Sequence, residues 1–239
     1  LVHDQAHMLG YRVKRWGDLA VNLFAAWPLL VLSTEKYAQV HLAHHQHFFR
    51  PELDPDFVRK AGDDWTFPMP KSRLIRLFAR DLSGLSVLQF LRGKQRSFGT
   101  PTARQKAIPR WLQPLWLVAA AGLITLLHGW PVVLLYWVLP LFSVFMAIVR
   151  WGAMCEHVYG AADACAMDTT PLILPKWWQR LLLPNLNFSL HIYHHMNQNI
   201  AWCELPKVHA LFVKAGQVNP QAVFDGFGDY WRRVVAATN

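Results

Sequence analysis

Hydrophobic and polar positions fall in long blocks along this chain rather than in an even alternation. Between Arg110 and Arg150 there are 39 consecutive residues without one Asp, Glu, Lys or Arg. A membrane-spanning helix needs roughly 20 apolar residues, so a run of this length supplies two. His128-Gly129-Trp130-Pro131 stands at its middle, where Gly and Pro favour a turn. The pattern predicts a tight helical hairpin, down and back. Two buried helices of a soluble core are the competing reading. A soluble domain seldom leaves so long a stretch uncharged, because some face of each helix meets water.

Shorter elements flank the hairpin. Residues 19–32 (LAVNLFAAWPLLVL) are apolar but short for a span, with Arg12, Lys14 and Arg15 on one side and Lys36 on the other. Alike at both ends, this segment is expected to dip into a membrane or lie along it. Residues 36–50 have helical composition. Residues 51–70 are turn-rich and polar and hold Asp54-Pro55-Asp56. Residues 71–96 set Leu74, Ile75, Leu77 and Phe78 against Lys71, Arg73, Arg76 and Arg80, the pattern of an interfacial helix, although a surface helix of a soluble lobe carries it too. Beyond the hairpin a short helix bears Glu156 and His157. A proline-bounded stretch, 171–184, follows with Trp177 and Trp178, a residue type favoured at membrane interfaces. There are no internal repeats, and a single domain over 1–239 is expected.

Composition sharpens this picture. The chain is 53% hydrophobic and 16% charged, with a formal net charge of +9. Of the 24 Lys and Arg, 17 precede the hairpin, 7 follow it and none sits at its tip. Basic flanks mark the cytoplasmic side, which puts both ends of the hairpin there. The excess charge then fits contact with anionic headgroups. Nucleic acid is not an expected partner, since no recognition motif accompanies the basic residues. Cys155, Cys165 and Cys203 form neither pairs nor a metal-like spacing, as in a reducing compartment. No signal peptide is visible. A histidine motif opens at the third residue and the first is Leu1, from which an N-terminally truncated sequence is expected, lacking the membrane helix or helices that lead into the motif.

The twelve histidines carry the chemistry. Eight fall into three groups: His3 and His7; His41, His44 and His45; His191, His194 and His195. Positions i, i+3 and i+4 share one face of a helix, so each group can aim two or three imidazoles at a common point. Neutral imidazole suits iron, zinc and copper. Eight are too many for one metal and about right for two. A lone histidine on an apolar face is usually a satisfied core residue; three groups with one geometric logic are not so explained.

HDQAH (3–7), HLAHH (41–45) and HIYHH (191–195) resemble the three histidine boxes of the integral-membrane fatty-acid desaturase superfamily, whose members also include acyl hydroxylases, alkane hydroxylases and carotenoid ketolases. The three residues inside the first box resemble acyl-lipid desaturases and carotenoid ketolases. Asp54-Pro55-Asp56 is similar to an acidic motif that follows the second box in bacterial members. Glu156-His157-x-Tyr159-Gly160 resembles the position of an additional metal-binding histidine, and Trp202-x-x-Leu205-Pro206 follows the third box much as in the family. The sequence departs from some members at Ala153, where they carry an asparagine four residues before the additional histidine.

The resemblance implies an all-α, integral-membrane helical bundle with a cytoplasmic, histidine-rich di-iron cap. It implies two non-haem iron ions, dioxygen as co-substrate, and His3, His7, His41, His44, His45, His157, His191, His194 and His195 as ligands. Glu156 then either orients an imidazole or caps or pairs locally, and Asn187 either holds a metal-bound water or satisfies backbone at a bend. His47, His128 and His209 are not expected to bind metal. The implied activity is desaturation of a lipid acyl chain, with hydroxylation or ketone formation on a fatty acid, alkane or carotenoid as the alternative. Electrons would come from a separate ferredoxin-like or cytochrome-like carrier. A zinc peptidase is disfavoured because the first box lacks the glutamate of H-E-x-x-H. A metal transporter would place its ligands at mid-membrane depth, whereas these boxes lie beside basic residues.

Overall fold

A computed structural model of the chain describes residues 1–10, 13–30, 33–92, 108–160, 162–182 and 187–235. It is mostly helical, with one two-stranded parallel sheet, Leu172–Ile173 against Val223–Phe224. Residues 31–32 of the expected dipping segment, 93–96 of the expected interfacial helix and 183–184 of the proline-bounded stretch lie outside the described residues.

The uncharged run folds as a hairpin whose turn falls at 127–129, where the sequence places it. Its two arms are unequal. The second is a continuous 27-residue helical run, Trp130–Glu156, long and apolar enough to cross a membrane; at 1.5 Å per residue it extends roughly 40 Å against a hydrocarbon core of roughly 30 Å. The first, Leu112–Leu126, has 15 residues, about 22 Å at the same rise. Two full-length spans were expected, and the turn at 127–129, coming early in the uncharged run, leaves the first arm short. The apolar lengths of both arms are largely exposed, and the second joins the core cluster at its end, through Trp151, Met154 and Cys155. Leu112–Leu126 buries no residue, and Val118, Leu126, Val132, Leu135 and Tyr136 are all more than half exposed. An apolar surface so extensive is foreign to soluble monomers.

Two stretches of π-helix interrupt the apolar segments, Asn22–Ala26 and Leu134–Val138. Each ends shortly before a proline, Pro28 and Pro140. A proline inside a helix removes a donor and clashes with the carbonyl a turn earlier, and a local widening of the turn relieves this. The helical stretches Arg15–Leu29 and Thr34–Gln46 diverge by 89°, a bend that fits a segment entering and leaving on one side. It is tied to the hairpin by Trp137 Nε1 donating to the Pro28 carbonyl (3.0 Å) and Gln113 Nε2 to that of Leu30 (3.1 Å). Within it Asn22 donates to both Glu35 oxygens (2.9 and 3.1 Å) and accepts from the Thr34 amide (2.7 Å).

The expected helix over 71–96 is broken at Ser83-Gly84 into Lys71–Leu82 and Leu85–Arg92. Lys71–Leu82 is amphipathic, with Leu74 and Leu77 buried and Lys71, Ile75 and Arg76 exposed. Its apolar face meets the end of the long helix (Trp151, Met154, Cys155) and the last helix, Phe227–Val234, which buries Phe227, Tyr230 and Val234. Gly226 introduces that helix at φ 82°, and a Cβ there would lie 2.4 Å from Gln179 Oε1, so a larger residue would strain the backbone and displace the Gln179 side chain. A second cluster, Leu172, Leu190, Ile192, Tyr193 and Leu205, backs the third histidine box.

Candidate metal centre

The histidines are presented by three short helical pieces. His3 and His7 bracket one helical turn, Val2–Ala6. His41, His44 and His45 belong to Thr34–Gln46, capped by Ser33 Oγ accepting from the Lys36 amide (3.3 Å). A 3-10 turn, Phe188–Leu190, leads into His191–Met196 with the last three. His157 stands just past the long helix, in extended backbone.

The nine imidazoles sort into two adjoining groups. Ligand nitrogens of His3, His7, His41 and His194 all lie within 4.8 Å of one another, as do those of His44, His157 and His195. His45 joins the first group, its Nε2 3.2 Å from that of His41 and 2.9 Å from that of His194. His191 joins the second, with Nε2 3.1 Å from that of His195. Each box therefore does not serve one point. A helical turn fans i, i+3 and i+4 over about 100° of arc, and the fan straddles the two groups. His41 and His45 face the first while His44 faces the second; in the third box the sides are exchanged, His191 and His195 facing the second and His194 the first.

These distances suit metal ions. Imidazole–metal bonds of about 2.1 Å place adjacent nitrogens about 3.0 Å apart when they meet at right angles, and the Nε2–Nε2 separations are 2.9 Å for His7–His41, 3.2 Å for His44–His157 and 3.1 Å for His157–His195. Shared protons account for them poorly. His44 Nδ1 lies 2.9 Å from Asp54 Oδ2, and the carboxylate fixes the proton on Nδ1, leaving a lone pair on Nε2. That lone pair faces the His157 Nε2, whose ring has its own Nδ1 3.1 Å from Thr170 Oγ1. His3 Nε2 is buried without a hydrogen-bond partner among the described residues. A cation in each group would satisfy these nitrogens.

Burial keeps the rings in the ligand form. His44, His157, His191 and His194 are no more than 2% exposed. Desolvation first, then the neighbouring imidazoles, holds His41, His157, His191, His194 and His195 far below the ordinary histidine range and brings His45 down to about 3. They are neutral at physiological pH, the state that binds metal. Aromatic rings close the site: Tyr37 stacks on His41 (5.3 Å, 17°), Phe48 lies against His44 and His195, and Phe188 meets His3 edge-on.

Asp54 has a role that the sequence pattern does not reveal. Fully buried, it also accepts from the backbone amides of Phe49 (2.7 Å), Asp56 (2.8 Å) and Phe57 (3.2 Å), capping the helix Pro55–Arg59. Four donors thus hold one carboxylate in place behind His44. The acidic motif was the signal; its target was not visible. Nothing in the sequence marks Thr170. Glu156 is half-buried at the end of the long helix and interacts electrostatically with Lys60, Asp56, His3 and His44. Asn187 adopts a left-handed conformation (φ 68°) and donates to the Trp202 carbonyl at 3.3 Å. Outside the groups, His128 is exposed at the hairpin tip, His47 ends the second-box helix, and His209 Nδ1 pairs with the Tyr193 hydroxyl at 2.8 Å.

No solved structure matches the chain. Among curated proteins, a dihydrorhizobitoxine desaturase of Bradyrhizobium elkanii is 23% identical over 227 residues, covering 88% of this chain. The chain spans 62% of that relative's length. A family model described as fatty acid desaturase matches residues 1–222. That match takes in all three histidine boxes and nearly the whole described structure, and the chain belongs to the fatty acid desaturase family.

Proposed function

We propose that the chain is the core of a membrane-embedded, non-haem di-iron oxygenase that desaturates a lipid acyl chain with dioxygen. The observation that carries this reading is the sorting of nine histidines, seven buried and two half-buried, into adjoining groups of five and four. Imidazole alone suits iron, zinc or copper; membership of the desaturase family selects iron. The first ion would be held by His3, His7, His41, His45 and His194, the second by His44, His157, His191 and His195. Together they would supply the activation of dioxygen and the oxidising power to take hydrogen from an unactivated carbon.

The protein's own contribution is orientation and dryness. Asp54 and Thr170 fix the rings of His44 and His157 from behind, and the aromatic residues around the site limit water beside a reactive centre. The relative's name, a desaturase, supports removal of two hydrogens over insertion of oxygen. Register matters for that outcome, since a misplacement of about 1 Å costs roughly 100-fold in rate.

The hairpin anchors the site. Both of its ends carry basic residues and its tip carries none, which supports a cytoplasmic position for the histidines. Electrons would arrive from a separate ferredoxin-like or cytochrome-like carrier, attracted to the basic cytoplasmic face. Expression of the full-length protein in a host with a simple lipid profile tests the reaction. A new carbon–carbon double bond, dependent on oxygen, is the expected product. Hydroxylated or keto lipids labelled from oxygen-18 gas, with no new double bond, would contradict desaturation and leave the metal assignment standing.

A further inference from the structure

Of the nine histidines gathered at the metal centre, His157 alone lies outside the three boxes. It stands in extended backbone just past the long helix, so other parts of the chain must fix its position. Thr170 meets its ring from behind. Tyr159, two residues on and 2% exposed, lies edge-on to the same ring with centroids 6.0 Å apart. Phe49, fully buried, packs against both, 5.7 Å from the His157 ring and 5.4 Å from that of Tyr159.

Lys60 reaches Tyr159 from the far end of the acidic motif. It closes the short helix Pro55–Arg59, whose other end Asp54 caps. Its Nζ donates to the Tyr159 hydroxyl at 2.7 Å and to Asp56 Oδ2 at 3.1 Å. The Lys60 side chain is 16% exposed. Burial works against both charges of the pair, but their attraction outweighs it. Asp56 holds the Lys60 ammonium above the ordinary lysine range, and Lys60 holds the Asp56 carboxyl below the usual carboxylate range. The lysine therefore stays a charged donor, and such bonds are the stronger kind.

These contacts close a ring around two ligands. Asp54 takes His44 Nδ1 and begins the helix; Lys60 ends it and takes Tyr159. Tyr159 and Phe49 flank His157, and the Phe49 amide returns to Asp54 at 2.7 Å. Inside the ring, the Nε2 atoms of His44 and His157 face each other at 3.2 Å. We propose that Lys60 is a positioning residue for the second metal ion: by joining Asp56 to Tyr159 it locks the helix begun by Asp54 to the segment that carries His157. The inference rests on the two-metal reading given under Proposed function.

The test uses full-length, iron-loaded protein, reduced without oxygen and mixed with the chelator ferrozine. Mössbauer spectra of samples frozen at intervals follow each ion separately, and the signal absent from His195→Ala belongs to the second. Lys60→Met should release the second ion about tenfold faster, the low end of losses caused by partners behind a ligand, and leave the first unchanged. Tyr159→Phe, which keeps the ring and removes the hydroxyl, should act alike. It also decides the matter if Lys60→Met does not fold. The double variant should be no faster than the faster single one, because the two residues act as a unit. Leu77→Ala, a substitution in the core cluster of Lys71–Leu82, measures what general destabilisation does and should not favour release of either ion. A wild type with fewer than two irons would overturn the two-metal reading, and this proposal with it. Two irons in the wild type, with both released equally faster from Lys60→Met, would make Lys60 a general stabilising contact and overturn this proposal alone. So would an unchanged second ion, or additive effects in the double variant.

Discussion

The two histidine groups are built from the same residue type at similar spacings, yet they are supported differently. In the second, His44 is backed by Asp54, ten residues on, and His157 by Thr170, thirteen residues on. Asp54 is itself immobilised by three backbone amides. In the first, the carboxylate seen behind a ring is that of the adjacent Asp4, 3.1 Å from His3 Nδ1, and His3 and His7 come from a five-residue helix without a side-chain cap. Behind His44 and His157 stand partners brought from loops elsewhere in the chain, whereas behind His3 stands its neighbour in sequence. The lesson is that equal ligand patterns do not give equal preorganisation; the outer partners decide it.

Both groups should be indispensable, and the largest effects come from the ligands. Replacing any of the eight box histidines with alanine is expected to reduce turnover to background in product assays. Loss confined to one group, with the other tolerating substitution, would break the picture of a joint site. Asp54→Asn should come next. It weakens the carboxylate behind His44, and losses of about 10–100-fold in activity or metal affinity are typical of such partners. Part of the effect will be on folding, since an amide offers one acceptor oxygen where both carboxylate oxygens of Asp54 accept, so thermal melting of the metal-loaded protein should be measured alongside. Asp4→Asn should cost clearly less than Asp54→Asn; an equal or larger loss would reverse the ranking of the two groups. Thr170→Val, which removes a neutral hydroxyl from behind His157, should fall between Asp4→Asn and Asp54→Asn. The smallest effect is expected for His47→Ala, His128→Ala and His209→Ala, which should retain metal and near-normal activity.

Much of this was legible in the sequence because its signals are local. The i, i+3, i+4 spacing of His41, His44 and His45 and of His191, His194 and His195 is a property of one helical turn, and the break at 127–129 is written by Gly129 and Pro131. The division of each box between two groups was not legible. It depends on how Thr34–Gln46 and His191–Met196 are rotated against each other, and that is set by packing of Ile192 and Tyr193, inside the third box, against Leu172, Leu190 and Leu205 outside it. Asp54 was visible as part of an acidic motif, but its bond to His44 requires the positive-φ turn at Phe49 and Glu52 that folds the chain back. Thr170 reaches His157 only through tertiary folding, so no spacing rule could find it. The shortness of Leu112–Leu126 follows from the place of the break at 127–129: Gly129 stands too close to Arg110 for a span of about 20 residues and a turn to fit between them.

The central claim, two metal ions held by two histidine groups, is tested most directly by counting iron. Full-length protein and its His194→Ala and His195→Ala variants would be purified under matched conditions and their bound iron determined by elemental analysis, with Mössbauer spectroscopy to separate the environments. The account predicts two irons per chain in the wild type and about one in each variant, with different spectra because a different ion survives. One iron in all three proteins, or a fully active protein that holds only zinc, would contradict it.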